Sequence, residues 1–356
     1  MASAPASILD TVQREFERAL QRNIKGLSYL ASPAPVVGSS AKETLISRGP
    51  WRLYRYHPLV DEVYRVPVLL VMATTNRGYI FDMAPGQSLV EFLLRRGYDV
   101  FMVDWEAPTA ADRSLDLQNY VEEFVGGSVA AVKAATGEPD VSILGYCMGG
   151  VLSVLWSALN PGLGPHNLAV FTTPVDFKKM TLFQAWGDPA HFDVDTLIDT
   201  LGMAPAEMLF ASFDMLRPGA RVAGQIKLAD NLWNDEFVKS HRMFDRWSTD
   251  TLPLAGEYFR ETTKRLMWDN ALIEGTMKVG GRAVDLDRIV CPFLHVTAEH
   301  DHIVSTDASA PLIEMVGSQD KEAVILKGGH VSLVAGPNAV RRLWPKLDDW
   351  LGAKSV

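Results

Sequence analysis

Apolar residues recur along the chain in two periods, and the two kinds of segment alternate. Near-continuous apolar runs at residues 66–75, 98–105 and 141–146 predict strands that are buried on both faces of a sheet. Between these runs, residues 88–97 and 115–137 carry apolar side chains at helical spacing. Because buried strands alternate with helices, the sequence predicts a mostly parallel sheet with helices on both faces.

The remaining segments extend this sheet and interrupt it once. Further strands are predicted at residues 51–58, 168–177, 289–301 and 322–330, and further helices at 150–160 and 338–352. From 178 to 285 the sequence is rich in Met, Trp, Phe and helix-forming residues, which predicts a mainly helical cap because a loop of that length is implausible. The predicted organisation is an N-terminal helix and linker at 1–45, a core at 46–177 and 286–356, and a cap at 178–285.

The N-terminal segment has a pattern of its own. Residues 1–31 carry apolar side chains at three- and four-residue steps, which predicts an amphipathic helix, and residues 32–43 form a loop rich in Pro, Gly and Ser. Two interpretations stay open at this point. The apolar face of the helix packs on its own domain, or it docks on a partner subunit.

Composition narrows the class of protein. The chain has 356 residues, of which 47% are hydrophobic and 22% charged, enough to bury a sizeable core. A net charge of −9 disfavours sequence-independent binding of nucleic acid. No apolar run approaches the ~20 residues of a membrane-spanning helix, and no secretory signal is recognised at the N-terminus. Together with the small number of cysteines, this predicts a cytoplasmic protein without a membrane span.

Cysteine and histidine spacing argues against metal or disulfide chemistry. The two cysteines, Cys147 and Cys291, support neither a disulfide framework nor a four-cysteine zinc site. Cys291 opens a predicted strand, where a core position is expected. The histidines show no spacing typical of metal ligands, so we predict no metal site and no cofactor.

The strongest chemical motif surrounds Cys147. The sequence Gly-Tyr-Cys-Met-Gly-Gly at residues 145–150 lies between a predicted buried strand and a predicted helix. That context is typical of the nucleophile elbow of the α/β-hydrolase fold, with cysteine in place of serine. Small residues on either side allow the sharp turn, and the helix N-terminus favours a thiolate. The motif therefore predicts Cys147 as a nucleophile.

A thiol nucleophile in this fold needs an acid and a base, which follow it in that order. Asp301 follows one predicted strand and His330 follows the next, so both are expected at the same edge of the sheet as Cys147. Glu299 is an alternative acid and His302 an alternative base. The sequence favours Asp301, because Glu299 lies at the strand end, and His330, because His302 directly adjoins Asp301.

Two backbone donors are expected for the oxyanion that forms during acyl transfer. The first is the N–H of Met148, which directly follows the nucleophile. The second is expected in the loop after the strand at 66–75, at Thr75 or Asn76.

Together these stretches resemble the polyhydroxyalkanoate synthases. The main motif of the resemblance is the sequence around Cys147 at residues 145–150. The matching motifs span most of residues 50–336 and follow one another in the same order as in that family. Its other motifs are Asn76-Arg77-x-Tyr79, Val103-Asp104-Trp105, residues 172–177, residues 280–286, residues 301–304 and Gly329-His330. The chain is similar to the short catalytic subunit of the two-subunit synthases, because it lacks the long N-terminal extension of the single-subunit enzymes.

The resemblance implies a function and a set of partners. Cys147 would carry the acyl chain, His330 would be the general base, and Asp301 would complete the triad. The substrate would be a short-chain (R)-3-hydroxyacyl-CoA, with 3-hydroxybutyryl-CoA expected, and the product a polyester stored in cytoplasmic granules. CoA enters only as part of the substrate. A second, noncatalytic subunit and a homodimer are further implications.

The residues alone leave other functions open. A cysteine hydrolase or thioesterase of the same fold would use the same three side chains and release free acid. A depolymerising acyltransferase would differ only in its product, and a noncatalytic granule-binding protein would not need the triad. Cysteine itself favours polymerisation, because exchange of one thioester for another keeps the acyl group activated for attack by a hydroxyl.

Overall fold

An eight-stranded sheet forms the centre of the protein in a computed structural model that describes residues 8–355. The strands are β1 (Lys42–Arg48), β2 (Trp51–Tyr56), β3 (Val68–Val71), β4 (Val100–Trp105), β5 (Ser142–Tyr146), β6 (Asn167–Phe171), β7 (Phe293–Ala298) and β8 (Lys321–Leu326). Their order across the sheet is β1-β2-β4-β3-β5-β6-β7-β8. The pairs β1–β2 and β2–β4 are antiparallel, and every pair from β4 to β8 is parallel.

Helices connect the strands of this sheet and form the cap. The α-helices are α1 (Ile8–Ala31), α2 (Leu89–Arg95), α3 (Gly126–Thr136), α4 (Met148–Leu159), α5 (Thr181–Trp186), α6 (Val194–Leu201), α7 (Ala206–Met215), α8 (Ala220–Asp230), α9 (Asp235–Thr249), α10 (Gly256–Thr262), α11 (Thr306–Ser309), α12 (Leu312–Met315), α13 (His330–Val334) and α14 (Gly336–Gly352). Asn119–Val125 and Thr263–Trp268 are π-helical.

Short elements complete the description. Single 3-10 turns lie at Gly78–Phe81, Ala110–Asp112, Phe177–Lys179 and Leu286–Arg288. Two-residue strands pair Met203–Ala204 with Leu254–Ala255, and Lys278–Val279 with Arg282–Ala283.

The centre of the sheet is apolar on both faces, as expected for parallel strands covered by helices. Leu69 and Leu70 of β3, and Ile143 and Leu144 of β5, are fully buried. β3 lies between β4 and β5. After β3 the chain adds β4 on one side, and from β5 onward it adds strands on the other side, so the direction of the strand order reverses at the β3–β5 pair. In open α/β sheets, the crevice beyond the carboxyl ends of such strands is where ligands bind.

Helix α4 lies unusually close to the strands because glycines stand at the contacts. A Cβ atom on Gly149 would overlap the backbone carbonyls of Val71 and Met72, and one on Gly150 would overlap the side chain of Thr173. The small residues around the predicted elbow therefore act at the contact between helix and sheet.

Several predicted boundaries differ from the observed ones. The first core strand, β1, was not predicted, and the linker ends before Lys42 instead of at residue 45. The reason is that β1 lies at the sheet edge and is mostly polar and exposed, so it lacks an apolar run. The strand predicted at 66–75 is only Val68–Val71, and the one predicted at 168–177 ends at Phe171. In the first case the apolar run continues through Met72 and Ala73 beyond the end of the strand. In the second the strand ends just before Thr172, whose φ is 44°.

The N-terminal helix lies against the cap through its basic side chains. Lys25 Nζ contacts Asp235 Oδ2 at 2.7 Å and also donates to the carbonyl of Trp233, over whose ring the Arg18 guanidinium lies. Exposed apolar side chains follow one stripe of the same helix, namely Phe16, Leu20 and Ile24. Residues 1–7 of the helix predicted at 1–31 lie outside the described residues.

The glycines of α4 generate a stability prediction. Ala normally stabilises a helix by about 1 kcal/mol relative to Gly, but at Gly149 its methyl group would meet two backbone carbonyls. We therefore expect Gly149→Ala to lower the free energy of unfolding by about 1–3 kcal/mol, as overpacking does. Gly162→Ala is the matched control, because nothing lies within 4 Å of that Cβ position. The free energies of unfolding of both variants can be measured by urea unfolding. Equal values for the two variants would contradict this account.

Candidate active site

Cys147 stands at the turn between β5 and α4, in a backbone conformation that non-glycine residues rarely adopt. Its φ and ψ are 52° and −120°, and its N–H donates to the carbonyl of Phe171 on the neighbouring strand at 2.9 Å. Such strain costs roughly 1–3 kcal/mol and is typical of functional sites. The turn places the thiol at the N-terminus of α4, beyond the carboxyl ends of the central strands.

Asp301 and His330 meet at the same edge of the sheet. Asp301 follows β7, His330 follows β8, and Asp301 Oδ2 lies 2.7 Å from His330 Nδ1. The other carboxylate oxygen accepts hydrogen bonds from the N–H groups of Ile303 at 2.8 Å and Val304 at 2.9 Å. Because both oxygens are engaged and the carboxylate is buried, Asp301 holds the His330 ring in a fixed orientation.

His330 lies between this carboxylate and the thiol. Its side chain is 5% exposed, is hydrogen-bonded to Asp301, and lines the same cavity as the side chain of Cys147. Burial by itself lowers the pKa of His330, but the negative charges of Asp301 and Cys147 and the hydrogen bond with Asp301 outweigh burial and raise that pKa to about 10. The arrangement therefore favours the charged, imidazolium form of His330 beside Asp301.

The alternative acid and base occupy other positions. The Glu299 side chain is 55% exposed and its nearest charged partner is His300, at 3.9 Å. His302 is exposed, and the partial burial of its ring, followed by the charge of Arg217, lowers its pKa. Of the two candidate bases, it is His330 that is hydrogen-bonded to the Asp301 carboxylate.

The residues predicted to stabilise an oxyanion surround Cys147. Met148 is the first residue of α4, and Thr75 lies with Cys147 in the walls of two cavities. The Thr75 hydroxyl donates to Asn76 Oδ1 at 3.1 Å, and Asn76 Nδ2 lies 3.5 Å from Thr251 Oγ1. The chain thus brings together all the site residues predicted from the sequence.

Two cavities with different linings meet at Cys147. The larger, of about 380 Å³, is almost entirely apolar and has a roof of side chains from α5, α7, α10 and the π-helical segment after it. Its large apolar residues include Phe183, Trp186, Phe192, Met208, Phe213 and Met267. The smaller cavity, of about 200 Å³, has a mostly apolar wall that also includes the polar side chains of His330, His302, Asn76, Asp214 and Arg221; because of these side chains it is called the polar cavity below. The thiol therefore faces an apolar space on one side and a polar space, shared with His330, on the other.

Sequence reasoning missed three residues that the cap contributes to this site, Trp247, Thr251 and Tyr258. Trp247 and Thr251 line the polar cavity, and Tyr258 lines the apolar one. The hydroxyl of Tyr258 lies 3.3 Å from that of Thr74 on the loop after β3. No local spacing marks these residues, since their partners lie 170 or more positions away in the chain.

Other kinds of site were sought in the part of the chain that the structure describes. Residues 8–355 contain no group of three or more His, Cys, Asp or Glu side chains placed to hold a metal ion. Over the same range, no helix combines the length and the apolar character that crossing a bilayer requires.

Comparison with solved structures supports the fold alone. A lipase structure from Sulfolobus solfataricus superimposes with a TM-score of 0.57 and 14% identity, covering 90% of this chain and 97% of that one. A monoacylglycerol lipase from Paleococcus ferrophilus gives a TM-score of 0.54 at 16% identity, covering 85% of this chain and 99% of that one.

Comparison of sequences identifies the family. The α/β-hydrolase fold family matches residues 67–337. The poly(3-hydroxyalkanoate) polymerase subunit PhaC of Allochromatium vinosum is 34% identical over 96% of this chain and 96% of its own length. The subunit of the same name from Haloferax mediterranei is 31% identical over 98% of this chain and 72% of its own length. The chain therefore belongs to the poly(3-hydroxyalkanoate) polymerase family and is an acyltransferase built on the predicted α/β-hydrolase fold.

Proposed function

We propose that the protein polymerises (R)-3-hydroxyacyl groups from CoA thioesters, with 3-hydroxybutyryl-CoA as the expected monomer, and carries the acyl chain on Cys147. The observation that supports this most strongly is the grouping of Cys147 with the hydrogen-bonded pair His330–Asp301 at the junction of an apolar and a polar cavity. The apolar cavity suits an acyl chain. The polar cavity gives a hydroxyl group or a leaving thiol access to His330.

The first step transfers the acyl group to the enzyme. The Cys147 sulfur attacks the thioester carbonyl, and the oxygen becomes negative while it accepts hydrogen bonds from the Met148 N–H and the Thr75–Asn76 loop. The bond from the carbonyl carbon to the CoA sulfur then breaks. His330 gives its proton to that sulfur, so CoA leaves as a neutral thiol.

The second step forms the ester. The 3-hydroxyl of another hydroxyacyl-CoA gives its proton to His330 as its oxygen attacks the acyl-Cys147 carbonyl. The carbon–sulfur bond to Cys147 breaks, and the returning thiolate lies beside the new imidazolium, which Asp301 stabilises. The chain, longer by one unit and now on CoA, acylates Cys147 again.

The environment of the reaction and its partners belong to the same proposal. We expect a cytoplasmic enzyme at the surface of polyester granules, working as a homodimer with a second, noncatalytic subunit. The relatives' own names support the second subunit, because they describe a polymerase subunit. No cofactor takes part beyond the CoA of the substrate.

The purified chain should release CoA from (R)-3-hydroxybutyryl-CoA and form insoluble polyester. Thiol release and recovery of the product by centrifugation measure the two events separately. Soluble 3-hydroxybutyrate as the main product would instead indicate a thioesterase. If no CoA appears, the assay is repeated with the partner subunit from the same genome, and continued absence of release would contradict the proposal.

Substitution of the nucleophile separates its two roles. We expect Cys147→Ala to remove CoA release entirely while the protein stays folded, because only the sulfur is lost. Cys147→Ser should form little or no polymer, since an oxoester is too stable to pass its acyl group readily to the next hydroxyl. Cys291→Ala is the control and should keep CoA release within about twofold, since surface and structural changes away from a site have small effects. A serine variant that polymerises at the wild-type rate would refute the thioester argument.

The raised pKa of His330 makes stability depend on pH. Because its pKa is about 10 in the folded protein and 6.5 ordinarily, protonation stabilises the fold fully below pH 6.5, and this contribution is lost as pH rises toward 10. Asp301→Asn keeps the shape but removes one of the charges responsible. The difference in free energy of unfolding between wild type and Asp301→Asn should therefore shrink steadily from pH 6.5 to pH 10 in urea titrations. A difference that grew over this range would contradict the assignment.

A further inference from the structure

The loop that follows β3 is fixed to the core of the sheet domain at its far end. In this loop (residues 74–79, the oxyanion loop), the N–H of Gly78 donates to Asp104 Oδ1 at 2.7 Å, and Arg77 Nη1 donates to the carbonyl of Trp105 at 2.9 Å. Asp104 is buried at the end of β4. These bonds fix the loop beyond Arg77, but they do not reach Thr75 and Asn76, where the oxyanion donor is expected.

The cap fixes the near end of the same loop. The N–H of Leu252 donates to the carbonyl of Thr75 at 2.8 Å, and Asn76 forms an isolated antiparallel bridge with Thr251. The indole N–H of Trp247 donates to the carbonyl of Arg77 at 2.8 Å. The oxyanion loop is therefore paired, like a short strand, with one stretch of the cap (residues 247–258, the cap segment).

The shortest contact between the two stretches joins Tyr79 and Asp250. The Tyr79 hydroxyl donates to Asp250 Oδ2 at 2.6 Å, and the Arg246 guanidinium lies over the Tyr79 ring, 5.9 Å from its centre. Burial, followed by the hydrogen bond and charge of Asp250, raises the pKa of Tyr79, so the phenol stays protonated as the donor. Neither residue lines the two cavities at Cys147, so neither has a route to contact substrate there.

From this geometry we infer that Tyr79 and Asp250 are positioning residues that hold the oxyanion loop in its catalytic place through the cap segment. Without their bond, the cap segment loses one of its attachments to the core-fixed end of the loop. The segment can then shift and carry Thr75 and Asn76 with it through the contacts of Leu252 and Thr251. A shift of about 1 Å in a preorganised donor is enough to weaken stabilisation of a transition-state charge. The cap segment is then part of the catalytic machinery.

This inference rests on the proposed acyl transfer, so its test compares rates within an active enzyme. We expect Tyr79→Phe to lower kcat for CoA release about tenfold, less than the roughly 10²–10³-fold that loss of a whole oxyanion donor costs. The KM for hydroxyacyl-CoA should stay within about twofold, because uniform substrate binding does not depend on the loop donors.

The same experiment includes the partner residue. Asp250→Ala should match Tyr79→Phe, whereas Asp250→Asn should keep most of kcat, because its amide oxygen still accepts the phenol hydrogen. The double variant Tyr79→Phe/Asp250→Ala should be no slower than either single one, since both remove one shared bond.

A matched control separates positioning from stability. Tyr98 makes an equivalent bond with Asp348, at 3.2 Å, in the core and away from the site, so Tyr98→Phe should lower the unfolding temperature without lowering kcat. If Tyr79→Phe keeps kcat within twofold of wild type, or loses activity only as much as Tyr98→Phe does, the positioning role is wrong. Absence of CoA release in the wild type, even with the partner subunit, would instead overturn the proposed function itself.

Discussion

The close contact between α4 and the central strands is the constraint on which the rest of the site depends. Gly149 and Gly150 let the helix begin immediately after β5, because any larger residue would meet backbone carbonyls or Thr173. The chain can then turn only through a strained conformation at Cys147. That turn brings the thiol to the helix N-terminus, where the backbone N–H groups favour negative charge.

The other two members of the site follow from the parallel sheet. Because β7 and β8 run in the same direction as β5, their carboxyl ends lie at one edge with the thiol. Asp301 and His330 are the residues that these strand ends present, and two backbone N–H groups lock the carboxylate in place. The neighbours of His330 thus raise its pKa and favour its protonated form in spite of its burial. This suits a group that must hold and release a proton beside the sulfur of Cys147.

The cap adds what the sheet lacks. Its helices cover an apolar space beside the thiol, which would limit the access of water to the acyl thioester proposed for Cys147. Its segment at residues 247–258 pairs with the loop after β3, so the surroundings of the oxyanion are built from both parts of the chain. A protein of this design combines a catalytic geometry common to hydrolases with an environment suited to acyl transfer.

The sequence was informative where function depends on local order along the chain. The meeting of Cys147, Asp301 and His330 at one edge of the sheet could be predicted because each lies at or shortly after the end of a predicted strand. The mostly polar edge strand β1 could not, and neither could the early end of β6, where Thr172 adopts a positive φ of 44° that no residue preference predicts. The pairing of Tyr79 with Asp250 depends on contacts across 171 positions, which a single sequence does not contain.

The central claim is that the acyl chain is carried on Cys147. The most direct measurement is mass spectrometry of the enzyme quenched in acid within the first turnovers on (R)-3-hydroxybutyryl-CoA, followed by peptide mapping. We expect adducts that differ by whole hydroxybutyryl units, all of them on the peptide that contains Cys147. An enzyme that turns over without an adduct on that peptide, or that carries the chain on another residue, would contradict the account.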